Sequence, residues 1–335
     1  MAAAKTLLDY AITVERESTY GTNPDTAPII IPTAELPGFT IEPKAHRFNR
    51  LMGYRAQHEE GAWQDTNGSI PTATLTTLVT PQIAHILFPA ILQKAADWTD
   101  ATNLWTLYSV VSGSDFPAPV VSNEGYFYTI VKRAAEFDDN DEIFSGAVAS
   151  AMTLSISPTD NDGVLFASFD FFGSAYTRES NSGVVGSVAA LTNLFKHEDI
   201  SLFSVGEDTL TTNLTNATFN ITNGAKLVGD RVGGEVVFPK FEVSGSFSVR
   251  ADANTEDLKD ACESTAPDGG MLITLAFTDD TPDAAGELVI KVFAILKSWS
   301  VEIDLGEVVT FEFDGVLGDT ESSEYPISIA YFYQE

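Results

Sequence analysis

The sequence predicts a mainly β protein, built as two tandem β-sandwich or barrel units that each carry a short flanking α-helix. Three observations lead there: one stretch is written in strict alternation, the order of elements around it occurs twice, and the composition supplies strand formers for two cores. The alternating stretch is Ser298 to Asp314. Trp299, Val301, Ile303, Val309, Phe311 and Phe313 fall on one face, and Ser298, Ser300, Glu302, Asp304, Thr310, Glu312 and Asp314 on the other. Successive strand side chains point to opposite faces, so this is a hairpin with one buried and one wet face. A loop over Leu305, Gly306 and Glu307 sets Glu302 opposite Thr310, Ser300 opposite Glu312 and Ser298 opposite Asp314. The wet face is then acidic, with no two carboxylates directly opposed and nothing on it that grips an anion.

The same device stands upstream. In Ala151 to Asp170, Met152, Leu154, Ile156, Leu165, Ala167 and Phe169 point inward, and Thr153, Ser155, Ser157, Ser168 and Asp170 outward, around a turn over Asp160–Gly163. The duplication extends further. Gly38-Phe39-Thr40-Ile41, followed by Lys44–Arg55, parallels Thr218-Phe219-Asn220-Ile221, followed by Lys226–Arg231. A strand ending at Val79 enters a helix with Thr80 as N-cap and Pro81 at its first position. Its counterpart is Phe241–Arg250 entering Asn254–Glu263, with Asn254 as cap. Asp199–Val205 follows the first hairpin as Tyr325–Tyr333 follows the second. A repeated order of this kind marks a duplicated unit.

Composition fits. The chain has 335 residues, 44% of them hydrophobic, with 22 Phe and 10 Tyr, enough for two cores rich in strand formers. A formal net charge of −30 argues against docking on phosphates or on an anionic membrane through clustered Lys and Arg. The single Cys262 excludes an intrachain disulfide framework and reads as a small buried apolar residue. No window has the length and apolarity of a membrane span, and the N-terminal residues lack a signal-peptide pattern.

In chain order, residues 1–37 form an N-terminal arm, 38–207 the first unit and 208–335 the second, with the Thr/Asn-rich stretch 206–217 at the boundary. Lys44, Arg47, Arg50 and Arg55 gather four of the 18 basic residues in one loop, either a solvated loop or a positive arm that reaches an acidic neighbour. Strands are predicted at Ser69–Val79, Leu104–Val111 and Gly125–Arg133, and a helix at Pro81–Gln93 interrupted at Pro89. Ala135–Glu142 reads as a solvated acidic turn, because it lacks the glycine and distal glutamate of a calcium loop. Gly173–Ala190 reads as a Gly/Ser-rich loop. In the second unit, strands are predicted at Thr218–Thr222, Glu235–Phe238, Phe241–Arg250, Met271–Phe277 and Leu288–Leu296.

No catalytic, cofactor or metal constellation is legible. The four histidines, His46, His58, His85 and His197, show no metal spacing, and His85 reads as a packed helix residue. Nucleophile elbows, phosphate loops and dinucleotide fingerprints are missing. Glu302, Asp304, Glu312 and Asp314 have the residue types of a glycosidase pair, but an open polar face gives no desolvation to raise a carboxyl pKa.

With these elements in order, the chain resembles the major tail tube proteins of long, non-contractile-tailed bacteriophages (siphophages). The residues that carry the resemblance are Glu17-Ser-Thr-Tyr-Gly-Thr, the run Gly61-Ala-Trp-Gln-Asp-Thr-Asn-Gly-Ser-Ile, and the doubled strand–helix–hairpin order. The resemblance implies two tail-tube-type domains and a structural virion protein, made in the host cytoplasm and carried in the phage tail. It implies trimeric rings of six quasi-equivalent domains, or alternatively hexameric rings, stacked into a tube. It also implies contact with a tape measure protein and with tail terminator and distal tail proteins, and DNA that passes without specific binding. Ser155, Asp170, Glu242, Ser300, Glu302, Asp304, Glu312 and Asp314 are the expected lumen-lining residues. Lys44, Arg47, Arg50 and Arg55 are the expected inter-ring contact, reaching an acidic surface such as the Asp138–Glu142 turn. Arg250, outward at the end of its strand, belongs at the rim or on a carboxylate. Two competing readings are a surface or secreted β-sandwich, such as an adhesin or surface-layer module, and a sandwich-based carbohydrate enzyme.

Overall fold

The computed structural model describes residues 10–17, 28–33, 38–40, 44–47, 62–65, 70–92, 97–99, 104–108, 127–134, 140–180, 187–188, 193–228, 235–238, 240–263, 270–277, 287–303, 306–316 and 326–332. It is mainly β, with two short helices. The chain opens with β1 (Tyr10–Arg16), β2 (Ile29–Ile30) and β3 (Phe39–Thr40), then a separate ribbon of β4 (Lys44–Arg47) and β5 (Ala62–Asp65). β6 (Thr72–Leu78) enters helix α1 (Pro81–Leu92), and β7 (Asp97–Thr99) pairs with β8 (Leu104–Tyr108). Next come β9 (Tyr128–Ala134), the 17-residue β10 (Asn140–Ile156), β11 (Phe166–Phe172), β12 (Ala175–Ser180) and β13 (Ser187–Val188). After them lie β14 (Leu202–Val205), β15 (Asp208–Thr209), β16 (Leu214–Thr222) and a second ribbon of β17 (Lys226–Val228) and β18 (Glu235–Val237). β19 (Glu242–Arg250), helix α2 (Ala253–Glu263), β20 (Met271–Ala276), the 16-residue β21 (Leu288–Ile303), β22 (Glu307–Gly315) and β23 (Ile327–Phe332) complete it.

Eight strands lie side by side, antiparallel, in the order β3, β6, β11, β10, β16, β19, β22, β21. The first four and the last four follow the same plan. In each, the second strand leads into a helix, and the third and fourth form the alternating hairpin. The registers agree with it: Phe39 pairs with Ala73 as Phe219 pairs with Gly245, and Thr40 with Thr72 as Asn220 with Ser244. Both long strands carry a one-residue bulge, at Ser150 between Ala149 and Ala151, and at Lys297 between Leu296 and Ser298.

Before its bulge each long strand joins other partners. β10 takes β9 and β12, and β21 takes β20 and β23. β1 then pairs with β9, and β14 with β20. β14, placed at the close of the first unit by sequence, thus pairs within the second half. β8 crosses the other way and pairs with β23. One apolar core runs through both halves, from Ile12 and Val14 to Ile329 and Tyr331. Rings from the two layers meet in it: Phe39 stacks on Phe144 at 5.5 Å, and Phe203 meets Phe247 edge-on at 5.4 Å.

β10 crosses between layers at Gly146, whose φ of 62° suits glycine. The buried Glu17 carboxylate fixes that crossing, accepting from the Gly146 N–H and the Thr129 hydroxyl, each at 2.7 Å.

Several sequence expectations are corrected. α1 is not interrupted at Pro89 but runs unbroken from Pro81 to Leu92. Its residues are buried nearly all round, and such packing outweighs a single lost helix bond. The Tyr128 hydroxyl also donates to the Ile86 carbonyl at 2.5 Å, one turn back. Thr80 caps α1 as expected, accepting from the Ile83 N–H at 3.2 Å. The cap of α2 is Asp252 rather than Asn254: its carboxylate accepts from the N–H groups of Asn254 and Thr255 at 3.0 and 3.1 Å. The stretch read as a Gly/Ser-rich loop contains β12 and β13. Leu288–Leu296 and the hairpin's first arm are one strand, because the Lys297 bulge absorbs the phase change between Leu296 and Trp299.

Candidate functional site

The eight-stranded sheet presents one continuous polar face. Alternation brings Thr74 and Thr76 of β6, Ser168 and Asp170 of β11, Thr153 and Ser155 of β10 and Thr218 and Asn220 of β16 to this face. It does the same for Ser244, Ser246 and Ser248 of β19, Thr310 and Glu312 of β22, and Ser300 and Glu302 of β21. Neighbouring strands are bonded sideways through these groups. Thr74 Oγ1 donates to Asp170 Oδ1 at 2.8 Å, and the Thr76 and Ser168 hydroxyls meet at 3.1 Å. Thr153 Oγ1 donates to Asn220 Oδ1 at 3.0 Å, Ser248 and Thr310 share a bond of 2.7 Å, and Ser298 Oγ donates to Glu312 Oε2 at 2.8 Å. Each bond turns a hydroxyl hydrogen along the sheet instead of outward, leaving a surface rich in acceptors.

The expected lumen-lining residues fall on this face where they are described. Asp170, Glu242, Ser300, Glu302 and Glu312 are exposed, and Ser155 and Asp314 half-buried; Asp304 lies outside the described residues. The hairpin register differs by two residues from the one predicted. Ser298 faces Glu312, Ser300 faces Thr310 and Glu302 faces Val308. A slip of two preserves the faces, where a slip of one would invert them.

The face is not purely acidic. Lys297, the bulge residue, holds Asp314 at 3.0 Å, and Lys240 pairs with Glu242. Arg250 ends β19 beside a cleft of about 580 Å³ that Glu302, Glu307 and Thr215 also line. Sequence reasoning missed both lysines, because one sits in a bulge and the other precedes its strand.

Of the expected basic contact, Lys44 and Arg47 lie on β4, and Arg50 and Arg55 outside the described residues. The proposed acidic partner is corrected in part. Asp141 and Glu142 are not in a turn but within β10, where Asp141 is buried against Arg133 at 3.2 Å. Glu142 is shared by Lys132 at 3.5 Å and Arg178 at 3.3 Å. Asp138 and Asp139 lie outside the described residues.

Groups with reactive potential elsewhere are few. Cys262 is half-buried against the core, and burial pushes its thiol up to about 11, an unreactive state at neutral pH. Burial lowers the His197 pKa, against the pull of a hydrogen bond to the Leu214 backbone. His85 is half-buried, with its ring edge-on to Tyr331 and Nδ1 3.4 Å from the tyrosine hydroxyl. Among the described residues no group of three His, Cys, Asp or Glu side chains is arranged to hold a metal ion, and no helix is long and apolar enough to cross a membrane. No protein-family model matches the chain, and no curated protein sequence matches it.

Proposed function

We propose that this chain is a phage major tail tube protein, a structural subunit whose polar sheet face lines a channel for DNA. Its two halves act as tandem tube units, joined edge to edge where β16 pairs with β10. One inequality supports this reading. Counted from the bulges, Met152, Leu154 and Ile156 of β10 hold the places of Trp299, Val301 and Ile303 of β21. The first three are 1, 0 and 2% exposed, the second three 37, 40 and 80%. β16 flanks β10 at this level, whereas on the side of β21 away from β22 no strand among the described residues pairs with Ser298 to Ile303. An open apolar edge of this kind is a template for pairing with another chain.

A second copy that offers β3 repeats the internal joint. The β10–β16 register then sets Val301 opposite Phe39 and Ser300 opposite Thr40 of that copy. Such head-to-tail contact builds a ring where its rotation closes. Three copies bring 24 wall strands, and at about 4.8 Å spacing and roughly 40° tilt these enclose a barrel roughly 50 Å across, with room for a duplex. Lys240 and Lys297 are held on carboxylates, so Asp170, Glu302 and Glu312 set the sign of the field at the wall. Repulsion works within about 8 Å at physiological salt, the distance at which confined DNA meets the wall.

Negative-stain microscopy of the purified chain tests the reading: rings of three copies with a central hole, or tubes stacked from them, are expected. Protein that stays monomeric at every concentration overturns it, and six copies per ring overturns the trimer alone. For the channel itself, phage carrying Glu302→Lys and Glu312→Lys should build tails of normal length that eject DNA slowly, because lysines create counterion-releasing phosphate contacts. Placement of these side chains on the outside of the tube would refute it.

A further inference from the structure

The halves differ at a second place, two rows before the bulge. Val148 of β10 corresponds there to Ile295 of β21, and Phe172 of β11 to Asp314 of β22. Val148 is fully buried, because with Phe172 and Phe127 it forms a small second core beneath the β17–β18 ribbon, sealed by Val236 and Phe238. Ile295 is 41% exposed, and no ribbon covers it among the described residues. Yet the chain holds a second ribbon in the matching place, for β4–β5 follows β3 as β17–β18 follows β16.

We infer that the β4–β5 ribbon of one copy seats on the Ile295–Asp314 patch of the next copy in the same ring. Charge favours this occupant. The covered patch has Phe172 where the open one has Asp314, and the ribbon that would meet Asp314 carries Lys44, His46 and Arg47. The lysine now on Asp314 is no obstacle, since both partners are about half exposed and such a pair exchanges at little cost. The inference rests on the β21–β3 joint proposed above, and it turns the basic ribbon sideways, within a ring, instead of toward the ring above. Apolar contact at Ile295 and ionic contact at Asp314 then seal the joint on the channel side.

The test uses the full chain with Cys262→Ser and Ile295→Cys, combined with either Ala45→Cys or His46→Cys, oxidised after assembly. Neighbouring strand residues face opposite ways, so one of the two ribbon positions should cross-link strongly and the other weakly. On a denaturing gel the products should stop at the number of copies in a ring, because a lateral contact closes on itself. Products running past that number would mean that the ribbon bridges rings, and would overturn the inference. Intact rings without cross-linking at either position would overturn it too while leaving the ring reading in place. Failure of the Cys262→Ser parent to form rings at all would instead refute the ring reading, and the inference with it.

Discussion

The hairpins β10–β11 and β21–β22 share a plan, a bulge and a polar face, yet one is sealed and the other ends in the open. A matching difference lies behind them in the helices. Seven residues after its cap, α1 has the fully buried Leu87, whereas α2 has Lys259. Lys259 Nζ lies 5.1 Å from the centre of the Trp299 ring, bonds Glu256 at 2.7 Å and reaches Glu307 at 3.5 Å. Where a neighbouring strand is always present, hydrocarbon covers hydrocarbon. At the open edge, an ammonium held by two carboxylates covers an aromatic ring, and the edge keeps some polarity.

The sharpest way to test the contrast is truncation at matched positions. Leu154→Ala should cost the protomer about 2–5 kcal/mol, and Val301→Ala about 1 kcal/mol or less while weakening assembly. Urea melts of the monomer, read beside sedimentation of the assembled form, would show it. Equal losses from the two variants would break the comparison.

A second pair tests how tightly each half is built. Ala73 and Gly245 hold the same place, but a Cβ on Gly245 would stand 2.2 Å from the Thr218 carbonyl oxygen and 2.5 Å from the Phe313 ring. Gly245→Ala should therefore cost about 1–3 kcal/mol or more through overpacking, and Ala73→Gly about 1 kcal/mol. Thermal unfolding measures both. Smaller again is the difference between the caps. Thr80→Ala should cost about 1 kcal/mol and Asp252→Ala up to about 2, because Asp252 serves two backbone N–H groups and also receives the Asn213 amide. Chemical denaturation of the two variants would rank them.

The smallest effect is one of pH. The Cys262 thiol is raised in the fold from its ordinary value of 9.0 to about 11. Its protonated form is favoured, so its contribution to stability is complete below pH 9 and is lost as pH climbs toward 11. Alkylation of the folded protein should be slow at pH 8 and accelerate toward pH 11, and Cys262→Ser should flatten that part of the stability profile.

The faces were legible in the sequence; the joints were not. Alternation assigned Ser155, Asp170, Glu242, Ser300, Glu302, Glu312 and Asp314 to the polar side, because strand geometry allows no other reading once the apolar residues are buried. The correspondence of Phe39-Thr40 with Phe219-Asn220 coincides with equivalent positions in the sheet. Alternation is blind to a slip of two, however, so the hairpin register was missed. It was equally blind to which strand lies alongside: β14 crosses to β20 and β8 to β23, and nothing local marks either choice. Trp299, Val301 and Ile303 were read as core because their period is that of core residues. They are exposed because β21 has no strand beside it there, on the side away from β22, among the described residues.

The pairing of β8 with β23 has a consequence in time. Tyr108 waits for Ser328, 220 residues further along the chain. At about 5–20 residues per second, synthesis of that interval takes roughly ten to forty seconds. Throughout it the nascent first half carries an unfilled strand position beside β8, a place where another nascent chain can insert. The hairpin that bears the open edge at Trp299 is itself translated within the last stretch before β23. In the ring proposed above, a chain still on the ribosome would therefore lack the β21 edge that a second copy joins, and assembly would wait for that hairpin to be made.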